Sequence, residues 1–279
     1  MIEIGQYYTL VVVKKTTHGV YLDAENLGDI LLPRRHTPKN VELYDTIRVF
    51  LYLDSEDRPI ATTEQPKACV NEFAYLKVVD TSSAGAFLDW GLDKDVLVPF
   101  SEQHVRMKKG KFYLVYLYLN GYDGRITASS KIDSWIDEKK PSNFQKNQEV
   151  DLIIGNSTNL GFKAIINHSY WGLLYKDEVH VRLSFGQSIK GYITYVRPDG
   201  RIDLSLKDAN ETVDMRSMMI VDYLKEQGGF AEVHDKSTPQ LISELFGMSK
   251  KVFKNTIGTL YKQRRIVIES KGIRLVEDT

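Results

Sequence analysis

The feature that most constrains this chain is a phrase that returns three times. Asp57–Thr63 reads DRPIATT, Asp123–Ser130 reads DGRITASS and Asp199–Leu206 reads DGRIDLSL. Each joins a turn-forming Asp or Asp-Gly to an arginine and then to a strand-like stretch. The arginines, Arg58, Arg125 and Arg201, stand a whole small domain apart, too far for a solenoid unit. The elements upstream also recur in order. A strand runs into a glycine (Gly19, Gly85, Gly161), a second strand leaves it, and an apolar strand follows as DILLP, DVLVP or WGLLY. A longer strand then brings the chain back to the phrase. Short strands, tight turns and no long amphipathic helix predict a small closed, five-stranded barrel in each repeat. The expected barrels are residues 1–63, 71–130 and 149–206, and the recurring glycine reads as a sharp strand bend. Glu64–Val70 links the first two. In the second linker, Lys131–Gln148, a helical turn stopped by Pro141 is expected.

From about Asn210 the period changes from strand to helix. ETVDMRSMMIVDYLKEQGG clusters Met215, Met218, Met219, Val221 and Leu224 ahead of Gly228 and Gly229, a helix with a glycine stop. A second helix opens at Ser237-Thr238-Pro239. Either Thr238 caps it, with Pro239 at the first helical position, or Ser237 does, with Gln240 three residues on. Leu241, Ile242, Leu245 and Phe246 give its apolar face, and Gly247 ends it. A third helix begins at Ser249, with Val252, Phe253, Thr256, Ile257, Leu260 and Tyr261 at helical spacing. RIVIESKGIRLVED then reads as a β-hairpin turning at Lys271-Gly272. Residues 211–279 are therefore predicted to form a winged helix-turn-helix. The expected fold is mostly β and multidomain: three tandem barrels, then an α+β winged module.

With these residues in view, each barrel repeat resembles the S1 RNA-binding domain, an OB-fold barrel. GVYL, GAFL and GFKA, the DILLP-type strand and the closing D-x-R strand carry the likeness. Three such repeats followed by a winged helix resemble the conserved virulence factor B family of bacteria (CvfB, YitL-like). That resemblance implies RNA binding and a role in regulating gene expression and virulence. An S1 domain commonly presents an aromatic before its glycine, another two residues after it, and a histidine at the end of the apolar strand. Here the first place holds His18, Ala84 and Leu160, the second Tyr21, Phe87 and Lys163, and the third Pro33, Pro99 and Tyr175.

Single-stranded nucleic acid is gripped by stacking on aromatics and by cations along its backbone. Tyr21, Phe87 and Tyr175 are the stacking candidates, set against the plainer reading that they are barrel core. Arg58, Arg125 and Arg201 stand at turns where a guanidinium can reach a phosphate or pair with a neighbouring carboxylate. The third helix carries Lys250, Lys251, Lys254, Lys262, Arg264 and Arg265 with no Asp or Glu from Ser249 to Arg265. In a helix-turn-helix this is the helix that enters a groove. Lys271 and Arg274 add charge to the wing. The expected partner is single-stranded RNA. Duplex DNA read by the winged helix is a rival, and so is a scaffold that docks a protein of the transcription or translation machinery.

Composition limits the other readings. Lys+Arg and Asp+Glu both total 37, so only a local basic excess can argue for nucleic acid. The single cysteine, Cys69, rules out an internal disulfide and a cysteine-rich zinc site. MIEIGQYYTL reads as no signal peptide, and the apolar run Phe112–Leu119 is too short to cross a membrane. A cytoplasmic protein without membrane contact is expected. No H-x-x-x-H pair, phosphate-binding P-loop or nucleophile elbow is present. Asp177 and Glu178 near His180 read as a solvated loop. No enzymatic activity, cofactor or metal is expected.

Overall fold

A computed structural model of the chain describes residues 1–136, 143–179, 181–207 and 209–276. The predicted stop at Pro141 and the histidine at 180 lie outside the described residues. Fifteen strands close into three barrels. The first comprises β1 (Tyr7–Thr16), β2 (Gly19–Asp23), β3 (Asp29–Pro33), β4 (Thr46–Leu53) and β5 (Pro59–Thr62). The second comprises β6 (Phe73–Thr81), β7 (Gly85–Asp89), β8 (Val96–Pro99), β9 (Phe112–Leu119) and β10 (Ile126–Ser129). The third comprises β11 (Glu149–Ser157), β12 (Gly161–Ile166), β13 (Tyr170–Tyr175), β14 (Ser188–Val196) and β15 (Ile202–Ser205). All share one cyclic order, β1-β2-β3-β5-β4 in the first, with β3 and β5 parallel.

Alternation along the strands fills each interior. Val20 and Leu22 point inward on β2 while Tyr21 points out, and Ala86 and Leu88 repeat this around Phe87. The first strand of every barrel carries a register shift, at Val12/Lys14, Val78/Asp80 and Ile154/Ser157. Such bulges add the local twist that lets so few strands close. The three repeated glycines do more than bend. A Cβ on Gly19, Gly85 or Gly161 would lie 2.1, 2.2 or 1.9 Å from the carbonyl oxygen of Leu32, Val98 or Leu174. Glycine is required because the next strand's backbone occupies that space.

The D-x-R phrase is a turn with a positive-φ residue just before the arginine: Asp57 (60°), Gly124 (68°) and Gly200 (85°). Asp123 and Asp199 each accept from the backbone N–H of the arginine two residues on, both at 3.1 Å. These are Asx turns. In the first repeat Asp54 takes this part, accepting from Arg58 N–H at 3.0 Å, which leaves Asp57 free to reach the next barrel.

The barrels are not beads on a string. Phe50 and Tyr52 lie outside the first barrel's core and are buried in the second barrel's cluster, Phe50 meeting Trp90 edge-on at 5.7 Å. Lys94 donates to the Asp54 carbonyl at 2.6 Å, and Arg125 of the second barrel pairs with Asp57 of the first. Between the second and third barrels, Phe73, Leu114, Ile136, Ile153 and Ile165 form a further buried cluster, with Trp135 stacked on Tyr116 at 4.6 Å.

His168 belongs to this second junction. Its Nδ1 accepts from the Phe73 backbone N–H at 2.9 Å, and burial holds the imidazole below its ordinary value. The unfolded imidazole takes up a proton near pH 6.5, the folded one only lower, so the contribution is complete above about 6.5 and is lost as pH falls. The thermal midpoint is therefore expected to drop more steeply below pH 6.5 in the native chain than in His168→Asn. Asparagine keeps an acceptor and tolerates the left-handed backbone at φ 55°. Equal pH slopes in the two would refute the account.

The C-terminal module has α1 (Ala209–Glu226), α2 (Pro239–Phe246) and α3 (Lys250–Lys262). Thr238, rather than Ser237, caps α2 by accepting from Leu241 N–H, and Ser249 caps α3. Its sheet has one strand more than the predicted hairpin: β16 (Phe230–Ala231) joins β17 (Ile266–Ile268) and β18 (Ile273–Leu275). Val221 and Leu224 are buried with Ile220, but Met215, Met218 and Met219 are exposed. Of the clustered apolar residues that mark the helix, the methionines thus lie off the core face. Tyr261, also placed in the apolar series, is exposed. Among the described residues no helix is long and apolar enough to cross a membrane.

Candidate nucleic-acid interface

Each barrel presents an outward row across its second, third and fifth strands. Pairing aligns Tyr21 with Leu31 and Ile60, Phe87 with Leu97 and Thr127, and Lys163 with Leu173 and Asp203. Tyr21 and Phe87 are half-buried on this face, so neither is barrel core. Their electrostatic settings differ. Lys14 lies over the Tyr21 ring at 5.6 Å, while Asp80 stands in register with Phe87. Phe87 and Leu97 line a cleft of about 270 Å³ walled by Tyr52, Trp90, Asp57 and Asp95. Partial burial, with Asp89 and Asp80 nearby, pushes the Asp95 carboxyl above its ordinary value. The cleft offers stacking but little free positive charge, because its cations Lys94 and Arg125 are paired with Asp57 and Asp123.

In the third barrel the candidate aromatic is tied into a charged network by its hydroxyl. The Tyr175 hydroxyl donates to Asp203 at 3.3 Å and accepts from Arg197, whose Nε also donates to Asp203 at 3.0 Å. Lys163 sits over the Trp171 ring at 4.2 Å. Sequence reasoning missed Trp171: it opens WGLLY where the other two repeats carry Asp29 and Asp95, so the repeats share no aromatic there.

The turn arginines are engaged within the protein. Arg58 donates twice to Asp54, at 3.0 and 2.8 Å, and pairs with Glu56 at 2.9 Å. Arg125 pairs with Asp57 and lies 3.7 Å from Asp123; Arg201 lies 3.6 Å from Asp199. Between a phosphate and a neighbouring carboxylate, the carboxylate is the partner that the geometry provides.

The winged module is different. Its third helix turns Phe253, Ile257 and Leu260 into a core with Phe246, Ile242 and Ile273. That leaves Lys251, Lys254 and Lys262 exposed on the other side. The helix ends with Arg264 in the left-handed conformation, φ 59°, and with bonds from Arg264 N–H to Tyr261 O and from Arg265 N–H to Leu260 O. This is a Schellman-type cap, where glycine is the cheaper residue. An arginine here costs about 1–2 kcal/mol of backbone strain, and its side chain is exposed. Lys251, Lys254, Lys262, Arg264, Arg265 and Lys271 make no ion pair among the described residues. Lys250 instead donates to the Lys236 carbonyl at 3.3 Å, and Arg274 pairs with Glu269 at 2.7 Å over the Phe230 ring. Gly258 lies between Lys254 and Lys262, one turn from each. A Cβ there would meet nothing within 4 Å, so packing inside the molecule does not demand a glycine.

Cys69 is inert: burial, with Glu72 adding to it, pushes its thiol up to about 11.

Comparison with known proteins matches these parts. Residues 4–64 fit the S1 domain model, and residues 218–275 fit the model of the CvfB-like winged helix domain. The chain is 29% identical over 276 residues to the uncharacterized protein YitL of Bacillus subtilis (strain 168), covering 95% of this chain and 91% of that one. It is 28% identical over 245 residues to conserved virulence factor B of Staphylococcus aureus (strain USA300), covering 85% and 81%. The chain is a homologue of the conserved virulence factor B proteins. Among solved structures, it aligns over 98% of both chains with a multidomain protein with nucleic acid binding domains from Streptococcus pneumoniae, at 23% identity and a TM-score of 0.41. The S1 match falls on the first barrel, and the second and third repeat its strand order. The S1 domain match and the CvfB-like winged helix match support nucleic-acid binding.

Proposed function

We propose that the protein is a non-enzymatic, cytoplasmic RNA-binding regulator of bacterial gene expression. In this reading the basic face of α3 and the wing hold the phosphates of single-stranded RNA, and Tyr21 and Phe87 stack on its bases. The observation that carries it is the run of exposed cations from Lys251 to Lys271 without carboxylate partners among the described residues, on a chain of zero net charge. Charge left unpaired on one face of a neutral protein is available to a polyanion. The barrels contribute stacking and spacing rather than charge, because their turn arginines already have partners. Linking modest sites in one chain raises the effective concentration at each.

A filter-binding titration tests this. Affinity for single-stranded RNA is expected to fall as salt rises, with about 0.7 in log–log slope for each phosphate neutralised. Duplex DNA of equal length is expected to compete weakly. A flat salt response sinks the electrostatic reading, and stronger competition by the duplex moves the protein to the DNA-binding class.

A further inference from the structure

Three side chains far apart in the sequence meet where the first barrel joins the second. His36 ends the short turn Arg34–His36 after β3, Glu64 follows β5, and Asp93 lies in the loop between β7 and β8. One nitrogen of His36 and one carboxylate oxygen from each acid all lie within 4.8 Å of one another. His36 Nδ1 stands 3.8 Å from Glu64, and Nε2 stands 3.8 Å from Asp93. The imidazole is only 6% exposed, and its Nε2 has no hydrogen-bond partner. Buried polar atoms are nearly always satisfied, so this nitrogen asks for an occupant. The backbone around it is fixed: Thr63 donates its hydroxyl to the His36 carbonyl at 2.7 Å, which sets Glu64 beside the ring.

We propose that His36, Glu64 and Asp93 form a site for a divalent transition-metal ion of the zinc class, and that the ion staples the first barrel to the second. Zinc bonds to imidazole nitrogen and carboxylate oxygen are about 2.0–2.2 Å, so two atoms on one ion lie at most about 4.4 Å apart. Nε2 is the ligand nitrogen: Asp93 already faces it at 3.8 Å, and Glu64, now 3.8 Å from Nδ1, reaches the same ion by turning its partly exposed side chain. One imidazole with two carboxylates suits zinc and its neighbours, whereas magnesium and calcium prefer all-oxygen sets. Two carboxylates also balance the charge of the ion. Arg35 already binds the same Asp93 oxygen that faces His36. It therefore competes with the ion for that oxygen. Sequence spacing hides such a site, because each ligand comes from a different element.

Isothermal titration of the full chain with zinc chloride tests the site, with cobalt as a spectroscopic probe. One equivalent of zinc is expected to bind and to raise the thermal midpoint. Glu64→Gln and Asp93→Asn, both at partly exposed positions, are expected to weaken binding at least about tenfold. Arg35→Gln is expected to tighten it by freeing the Asp93 oxygen. A native chain that takes up no zinc overturns the site. So does uptake that both carboxylate variants leave unchanged, and so does a folded His36→Ala chain that keeps the cobalt spectrum.

Discussion

Replacing Lys251, Lys254 and Lys262 together by alanine is expected to lower affinity for single-stranded RNA by on the order of 10- to 100-fold near 0.15 M salt, and to flatten the salt dependence by about 2 in log–log slope. Three phosphates then go without a neutralising cation, each worth about 0.7 in slope. All three side chains are exposed on the solvent side of α3, and their removal takes nothing from the core of Phe253, Ile257 and Leu260. The thermal midpoint is therefore expected to stay put, which separates impaired binding from impaired folding. Lys250 is a poorer choice than the sequence suggests, because it is partly buried and already donates to the Lys236 carbonyl. Unchanged affinity and slope in the triple variant would transfer the site to Tyr21 and Phe87. There, removal of one ring costs roughly 1–3 kcal/mol with little change in salt slope.

The largest stability effect is expected at the repeated glycines. Gly85→Ala puts a methyl group 2.2 Å from the Val98 carbonyl oxygen, where only a shift of the neighbouring strand makes room. The loss is expected to reach about 4 kcal/mol or more, the range reserved for core disruption and backbone strain. Denaturant titration followed by tryptophan fluorescence reads it, since Trp90 is packed in the second barrel and Trp135 and Trp171 at its junction with the third. Gly258→Ala is the contrasting case: it is helical with open space around the new methyl, and a gain of about 1 kcal/mol is expected. A Gly85→Ala chain within about 1 kcal/mol of native stability would show that β7 and β8 can part cheaply, and the close-approach account would fall.

The barrels and the winged module were legible because their signals are local or periodic. Alternation around Tyr21 and Phe87, the glycine at each strand crossing and the caps of α2 and α3 all sit within a few residues of what they determine. The wing's third strand was not legible, because Phe230–Ala231 is two residues long and pairs with a strand far along the chain, at Ile273–Arg274. The partner of Arg125 is hidden for the same reason. Asp57 reaches it across a barrel boundary, and only the shift of the Asx role to Asp54 leaves Asp57 free to do so. The apolar cluster that marks α1 includes three exposed methionines, since clustering identifies a helix but not the face the core takes. Of the candidate site, the cations on α3 were readable as an uninterrupted basic run. The carboxylates that occupy Arg58, Arg125 and Arg201 emerge only from the folded turns.

The burial of Phe50 and Tyr52 by the second barrel has a consequence for synthesis. Domains emerge from the ribosome in order, at about 5–20 residues per second. The first barrel can close around Val12, Leu22 and Leu32 as soon as β5 is out. Phe50 and Tyr52 must then wait for Trp90 and the rest of the second barrel to arrive. For those seconds the nascent chain displays an aromatic patch that the finished protein never shows. The first barrel therefore matures on its successor, and a truncation after residue 63 would be a sticky fragment rather than a free-standing domain.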